Sequence, residues 1–67
     1  MLKPHQERVV VEKKELDEKI VKLHAFCFGS DTKIFGALPP EERNRLKSQH
    51  TVMKQYSDIL GERIAAF

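Results

Sequence analysis

The stretch GSDTKIFGALPP, residues 29–40, constrains the fold of this chain more than any other. It contains two glycines and the Pro39–Pro40 pair, and both residue types end or interrupt helices. The flanking segments, 5–28 and about 40–65, carry apolar residues at helical spacing. Because the corner is so short, the two helices must fold back on each other. The sequence therefore predicts an all-α fold, an antiparallel helical hairpin.

The corner itself has room for one short helical turn. Gly29 is expected to end the first helix, since glycine is the commonest residue just beyond a helix C-terminus. Ser30 or Asp31 then stands where a side-chain oxygen can cap a new turn. That turn carries Ile34 and Phe35, which we expect to lie under the hairpin.

Each predicted helix has one face that should meet the other helix. In the first helix this face comprises Val9, Leu16, Ile20, Leu23 and Cys27. In the second it comprises Leu46, Gln49, Met53, Tyr56, Leu60, Ile64 and Phe67. Lys13 interrupts the first face at the position that would complete its heptad. Antiparallel pairing places Lys13 close to Tyr56, in a register that is consistent along the whole hairpin.

A chain of 67 residues is too small to bury a large core. Such domains bury only about 60% of the surface that the unfolded chain exposes. They usually need disulfides, a structural metal ion or partner chains for stability. Cys27 is the one cysteine and cannot form an internal disulfide. The consecutive residues Val9–Val11 and the terminal segment IAAF add apolar surface that two helices cannot cover. We therefore expect one domain, residues 1–67, that assembles into a homo-oligomer.

Gly61 lies inside the second predicted helix, where glycine costs about 1 kcal/mol relative to alanine. A helical glycine of this kind allows close approach of another backbone. We expect that neighbour to be the first helix or a partner helix. A ligand that reaches the backbone is the alternative.

Composition argues against several classes of function. Twelve basic and ten acidic residues give a formal charge of +2, which does not favour nucleic-acid binding. No catalytic constellation, metal-ligand spacing or cofactor motif is present, so an enzyme is not expected. No signal peptide or membrane-spanning stretch is recognisable, and we expect a cytoplasmic protein.

The second helix carries a stripe of polar and basic residues beside its apolar face. Between residues 43 and 57 the chain has four Lys/Arg and no acid. The stripe consists of Arg43, Lys47, His50, Lys54, Ser57 and Gly61, spaced four, three, four, three and four. Charge-assisted hydrogen bonds from such groups bind phosphates. The alternative is a solvated basic face that balances the acidic first helix.

A second polar cluster is predicted at the open end of the hairpin. Arg8 and Glu12 lie one helical turn apart, and Tyr56 and Arg63 reach them from the second helix. Tyr56 could stack on a base or donate its hydroxyl. Alternatively the charged groups form an ion network, and Tyr56 is a core residue with a wet tip.

The chain also resembles a family of short phage and prophage proteins. The segments ERVVVEKKELDEKIVKLHAF, LPPEERNRLKSQ and MKQYSDILGERIAAF carry the resemblance over nearly the whole length. The matching positions are Arg8, Glu12, Leu16, Lys19, Leu23, Phe26, Leu38, Leu46, Gln49, Met53, Tyr56 and Arg63. Members are described through their relation to an open reading frame of a crAss-like phage, a relation that names no activity.

That resemblance implies a phage accessory function in the infected bacterium. Anti-CBASS and anti-Thoeris sponges are short, oligomeric phage proteins that hold cyclic nucleotides or ADP-ribose derivatives between protomers. Their motifs are absent here, so the comparison is one of size, architecture and source. The resulting hypothesis is an anti-defence protein that sequesters a phosphate-bearing signal. Its expected ligand-binding residues are Arg8, Arg43, Lys47, His50, Lys54, Tyr56 and Arg63.

Two other functions stay open at this point. A protein-interaction module would use the RVVV and IAAF segments, or the basic stripe, to cover a host defence protein. A small DNA-associated regulator would use the same stripe on phosphates, although the near-neutral charge argues against it.

Overall fold

A computed structural model describes residues 1–67 as three helices and no strand. They are α1, Pro4–Phe28; α2, Lys33–Ala37; and α3, Pro40–Ala65. Contacts pair the start of α1 with the end of α3, as in Glu12 with Tyr56, and the end of α1 with the middle of α3, as in His24 with His50. The two long helices are therefore antiparallel. The all-helical hairpin with a helical turn at its corner is confirmed, and assembly into an oligomer stays a prediction.

The corner follows from local backbone requirements. Gly29 ends α1 as predicted, and a Cβ there would collide with the carbonyl oxygen of Ala25. Only glycine tolerates that approach without a shift of the backbone. Asp31 Oδ1 accepts a hydrogen bond from the Lys33 amide at 3.3 Å. This bond helps to satisfy one free N–H at the start of α2.

The interior of the hairpin is small. Four apolar side chains are buried, and they come from all three helices: Val9, Cys27, Phe35 and Leu60. Leu60 alone is completely inaccessible. Phe35 of α2 lies under the corner, where its ring meets Phe26 edge to face at 5.9 Å. Cys27 fills space in this core as a free thiol.

Much apolar surface stays exposed, as predicted, but it includes Ile34 and Tyr56, which were expected to face the interior. The exposed large side chains in the helices are Val10, Val11, Val21, Phe28, Ile34, Val52, Tyr56 and Ile59. Contact with water costs each of them about 25 cal/mol per Å² of apolar area relative to burial. None of the three helices has the length and hydropathy needed to cross a bilayer.

The face of α3 that meets α1 differs from the predicted one by about one residue. Gln49, Tyr56 and Phe67 are exposed, whereas His50 is half-buried and Ser57 is buried. The reason lies on α1, where the polar side chains of Lys13 and Asp17 point at α3. A small hydroxyl-bearing side chain satisfies these groups, whereas a bulky phenol ring would separate them from α3.

Gly61 also faces Lys13. A Cβ at Gly61 would lie 3.4 Å from Lys13 Cε, and no backbone atom of α1 comes within 4 Å of that position. The predicted close backbone approach by α1 is therefore not observed. The end of a flexible side chain can move by a few tenths of an ångström, so packing within one hairpin does not require glycine here.

Candidate functional site

A three-residue polar cluster connects the middle of the two long helices. Lys13 Nζ donates to Asp17 Oδ2 at 2.9 Å and to Ser57 Oγ at 2.8 Å. Ser57 in turn donates its hydroxyl proton to Asp17 Oδ1. Ser57 is buried, whereas the two charged side chains are partly exposed. In this Lys13 cluster (Lys13, Asp17 and Ser57), the ammonium group of Lys13 points toward α3 and bonds to two side chains.

The same cluster lowers the pKa of the Asp17 carboxyl below its ordinary value of 3.8. The hydrogen bond from Ser57 is the largest cause, and the one from Lys13 is the next. Partial desolvation opposes them, and the positive charge of Lys13 adds to the lowering. These interactions favour the carboxylate, so the folded protein binds the Asp17 proton less readily than the unfolded chain does.

Replacing Asp17 with asparagine is expected to flatten the acid limb of the stability curve. Because folding lowers the Asp17 pKa, the ionised carboxylate stabilises the folded protein at any pH above the pKa of Asp17 in the unfolded chain. This contribution is lost as the pH falls through the lower pKa that Asp17 has in the folded protein. Thermal melts followed by circular dichroism between pH 7 and pH 2 measure it. The wild type should lose melting temperature below about pH 4.5 more steeply than Asp17→Asn does. Parallel acid limbs in the two proteins would contradict this account of the cluster.

An open groove near the corner brings two histidines and a phenylalanine together. The ring centroids of His24 and His50 lie 5.3 Å apart, and Phe28 lies 5.2 Å from His24 and 5.8 Å from His50. This corner groove is open to solvent and has a volume of about 480 Å³. It is lined by His24, Phe28, His50, Thr51, Lys54, Gln55 and Asp58.

Two other predicted site residues lie closer to the corner. Lys47 is exposed, and its ammonium group stands 5.8 Å from the centroid of the Phe35 ring, a cation–π distance. Arg43 is half-buried, and its Nε is shielded from solvent without a hydrogen-bond partner. Neither residue forms a salt bridge. Arg43, Lys47, His50 and Lys54 therefore all lie on one side of α3.

The open end of the hairpin has a different chemistry. Tyr56 donates its hydroxyl to Glu12 Oε2, and this bond raises the pKa of Tyr56 above its ordinary value of 10.0. The charge of Arg63 acts in the opposite direction. Arg8 lines a shallow groove together with Glu7, Glu12 and Glu15, and no salt bridge joins Arg8 to Glu12. The carboxylates make this surface less favourable for an anion than the corner groove.

The seven predicted ligand-binding residues therefore fall into two groups on opposite sides of the hairpin. Tyr56 follows Lys54 by two residues, which is about 200° around an α-helix. Arg63 lies two turns beyond Tyr56 on the same side, and Arg8 is joined to that side through the groove it shares with Glu12. Arg43, Lys47, His50 and Lys54 form the other group. One chain cannot bring both groups to one small ligand.

The residues missed by sequence reasoning are the aromatic ones of the corner groove. His24 and Phe28 lie one turn apart at the end of α1, four residues from each other. Neither residue belongs to the basic stripe of α3 from which the site was predicted. The predicted pairing of Lys13 with Tyr56 places His24 near residue 45, in the first part of α3, so the register gave only a coarse signal. No group of three His, Cys, Asp or Glu side chains lies close enough to hold a metal ion.

This combination defines a class of protein: a very small helical hairpin with basic residues along one side of α3 and an aromatic groove. The chain belongs to the Sequestin family, whose family model matches residues 3–66. The family name is consistent with a sequestering role and with the binding of a ligand or partner. Comparison with curated proteins and with solved structures finds no match.

Proposed function

We propose that this protein is a phage-encoded anti-defence protein that sequesters a phosphate-bearing cyclic nucleotide signal at the interface between protomers. The observation that carries the proposal is the unpaired state of the basic stripe. Salt bridges occupy only Lys13 and Arg45, so Lys47 and Lys54 are free to bind an anion. Membership of the Sequestin family supports capture of a ligand as the mode of action.

The interface between copies is the place where the two groups of predicted residues can meet. Lys54 on one copy and Tyr56 on another can face the same ligand, although one chain holds them on opposite sides. The exposed valines and isoleucines beside both groups supply apolar surface for that contact. An oligomer would therefore bury this apolar surface and complete the pocket in a single step.

Within this pocket the roles follow from side-chain chemistry. Lys47 and Lys54 hold phosphate oxygens through charge-assisted hydrogen bonds. Arg43 and His50 take part through their other nitrogens, because Arg43 Nε and His50 Nε2 are shielded from solvent. Arg8 and Arg63 close the pocket from the second copy, and Tyr56 stacks on a base. Capture at one ligand per site is sufficient, so the proposed function includes no catalysis.

A protein-interaction module that inhibits a host defence protein is the second candidate. It is favoured by the exposure of Val11 and Phe67, which lie in the terminal segments expected to dock. Such a module would need neither the lysines nor a nucleotide. A pull-down from infected cells that recovers one host enzyme, combined with no nucleotide binding, would support it.

The first test is calorimetric titration with cyclic dinucleotides, cyclic trinucleotides and cyclic ADP-ribose isomers. One member should bind, and Lys54→Ala should weaken its binding about 10- to 100-fold, since a hydrogen bond to a charged group contributes about 1.5–3 kcal/mol. Lys22→Ala is the matched control, because it removes the same charge from an exposed position of α1 outside every groove. The bound compound should be recovered chemically unchanged after the protein is denatured.

The proposal fails if no compound of the panel binds. It also fails if Lys22→Ala weakens binding as much as Lys54→Ala does, since the effect would then come from net charge alone.

A further inference from the structure

We propose that α1 carries a self-complementary face through which two copies of this chain pair about a two-fold axis, with their α1 helices antiparallel. We call this face the α1 seam, and its residues are Val10, Lys14, Asp17 and Val21. This contact goes beyond the proposed function and is independent of the ligand, because the lysines proposed to hold phosphate lie on α3. It is additional to the shared pocket, and the two contacts together predict an assembly of more than two chains.

The seam contains exposed apolar surface beside a shallow groove. Val21 is 67% exposed, and Val10 is exposed as well. Both line a groove between α1 and α3, together with half-buried Ile64 from the end of α3. Lys14 and Glu18 line the same groove, so charged groups border the apolar ones. An apolar patch with a charged rim is typical of a surface that another chain covers.

The order of residues along the seam selects a second copy of the same chain. Its members are four, three and four residues apart, and this spacing is symmetric about a point between residues 15 and 16. An antiparallel copy of α1, related by a two-fold axis at that point, therefore places Val10 opposite Val21 and Lys14 opposite Asp17. Valine meets valine, and opposite charges meet. A parallel copy would instead bring lysine against lysine and aspartate against aspartate.

Further charges fit the same antiparallel register. Glu18 lies opposite Lys13 of the second copy, and Glu7 lies opposite His24. Lys13 Nζ uses two of its three N–H donors within the chain, so the third is free for the Glu18 carboxylate. Lys14 and Glu18 are one turn apart, yet no salt bridge joins them. These charges are therefore available for pairing between copies.

Gly61 provides an independent observation at the same groove. Glycine disfavours the interior of a helix such as α3, and packing within the hairpin does not require it at this position. A Cβ there would meet only Lys13 Cε, and both Lys13 and Ile64 line the groove. In the proposed register the second copy of α1 passes Lys13 with the segment around Glu18. The missing side chain at Gly61 gives that helix room beside α3.

Disulfide cross-linking tests the register directly. Val10→Cys and Val21→Cys are purified as separate proteins, mixed in equal amounts and oxidised with diamide. The mixture should give a cross-linked dimer that joins the two variants, seen on a non-reducing gel and by mass spectrometry. Each variant oxidised alone should give at least about tenfold less, because its two cysteines lie about three helical turns apart in the dimer, beyond the reach of a disulfide.

Val11→Cys mixed with Val21→Cys is the matched control, since Val11 is also exposed but lines a different groove. Oxidised wild type controls for Cys27, which is buried. Circular dichroism verifies that each variant is folded. Equal yields in the test mixture and in the Val11 control would overturn the α1 seam. Cross-links in each variant alone, with none added by mixing, would overturn the antiparallel arrangement.

Lys14→Glu gives a second readout. It places a carboxylate opposite Asp17 of the other copy, so the yield of the cross-link between Val10→Cys and Val21→Cys should fall about fivefold or more when both chains carry it. Lys22→Glu makes the same charge change outside every groove and should leave the yield unchanged. No fall in Lys14→Glu, or an equal fall in both, would overturn the pairing of Lys14 with Asp17. No nucleotide is present in either measurement, so loss of the seam would leave the proposed function to be decided by the titration panel.

Discussion

Leu60→Ala is expected to unfold most of the protein at 37 °C. Leu60 is the one completely buried side chain, and it stands where α1 and α3 meet. Truncating a buried leucine to alanine costs about 2–5 kcal/mol. A domain of this size has about 3–5 kcal/mol of stability from its own core. The midpoint of thermal unfolding, followed by circular dichroism, should fall by about 10 °C or more.

The neighbouring residue provides the control for this prediction. Ile59 is 53% exposed, so Ile59→Ala removes a similar side chain from the surface of the hairpin. At low protein concentration its midpoint should stay within a few degrees of the wild type. A larger loss that appears only at high concentration would identify Ile59 as a contact between copies. A Leu60→Ala midpoint close to that of the wild type would contradict the described interior.

Mixing two defective variants is expected to restore nucleotide binding. Lys54→Ala lacks a cation on one side of the hairpin, and the double variant Tyr56→Ala/Arg63→Ala lacks the groups on the other side. Each variant alone should bind the nucleotide selected from the panel at least about tenfold more weakly than the wild type. Co-folding them in equal amounts lets an intact Lys54 from one chain face an intact Tyr56 from another. If the protein forms a symmetric dimer with two pockets, half of the dimers in the mixture contain both variants, and one pocket in each of these is intact. About one quarter of the wild-type sites should therefore return.

Calorimetric stoichiometry measures the restored sites, and native mass spectrometry verifies that mixed assemblies have formed. Lys54→Ala mixed with Lys54→Ala/Tyr56→Ala is the negative control, since no site in that mixture can contain Lys54. Mixed assemblies without restored binding would contradict a pocket shared between chains. Full binding by the Tyr56→Ala/Arg63→Ala protein alone would show that the basic stripe is sufficient by itself.

The helices and their corner could be predicted because their signals are local. Gly29 and the Pro39–Pro40 pair act on the backbone within a few residues, and the structure places the helix ends where these residues stand. Lys13 could also be identified as a break in the apolar face of α1. Its partner could not, because that partner depends on which way α3 is rotated.

The rotation of α3 about its own axis could not be predicted from the sequence. Tyr56 and Ser57 are adjacent, and hydropathy favours the tyrosine as the inward residue. The structure buries Ser57 because Lys13 and Asp17 need a hydroxyl opposite them. That requirement links residues 40 or more positions apart, so no local pattern reveals it. The grouping of His24 and Phe28 with His50 depends on the same long-range rotation.

Sedimentation equilibrium, with and without the selected nucleotide, tests most directly whether the binding surface forms between copies. A single chain has a mass of 7.8 kDa. We expect an assembly of several chains at micromolar concentration, with nucleotide that sediments with the assembly. A folded 7.8 kDa species that carries its own nucleotide, one per chain, would contradict it.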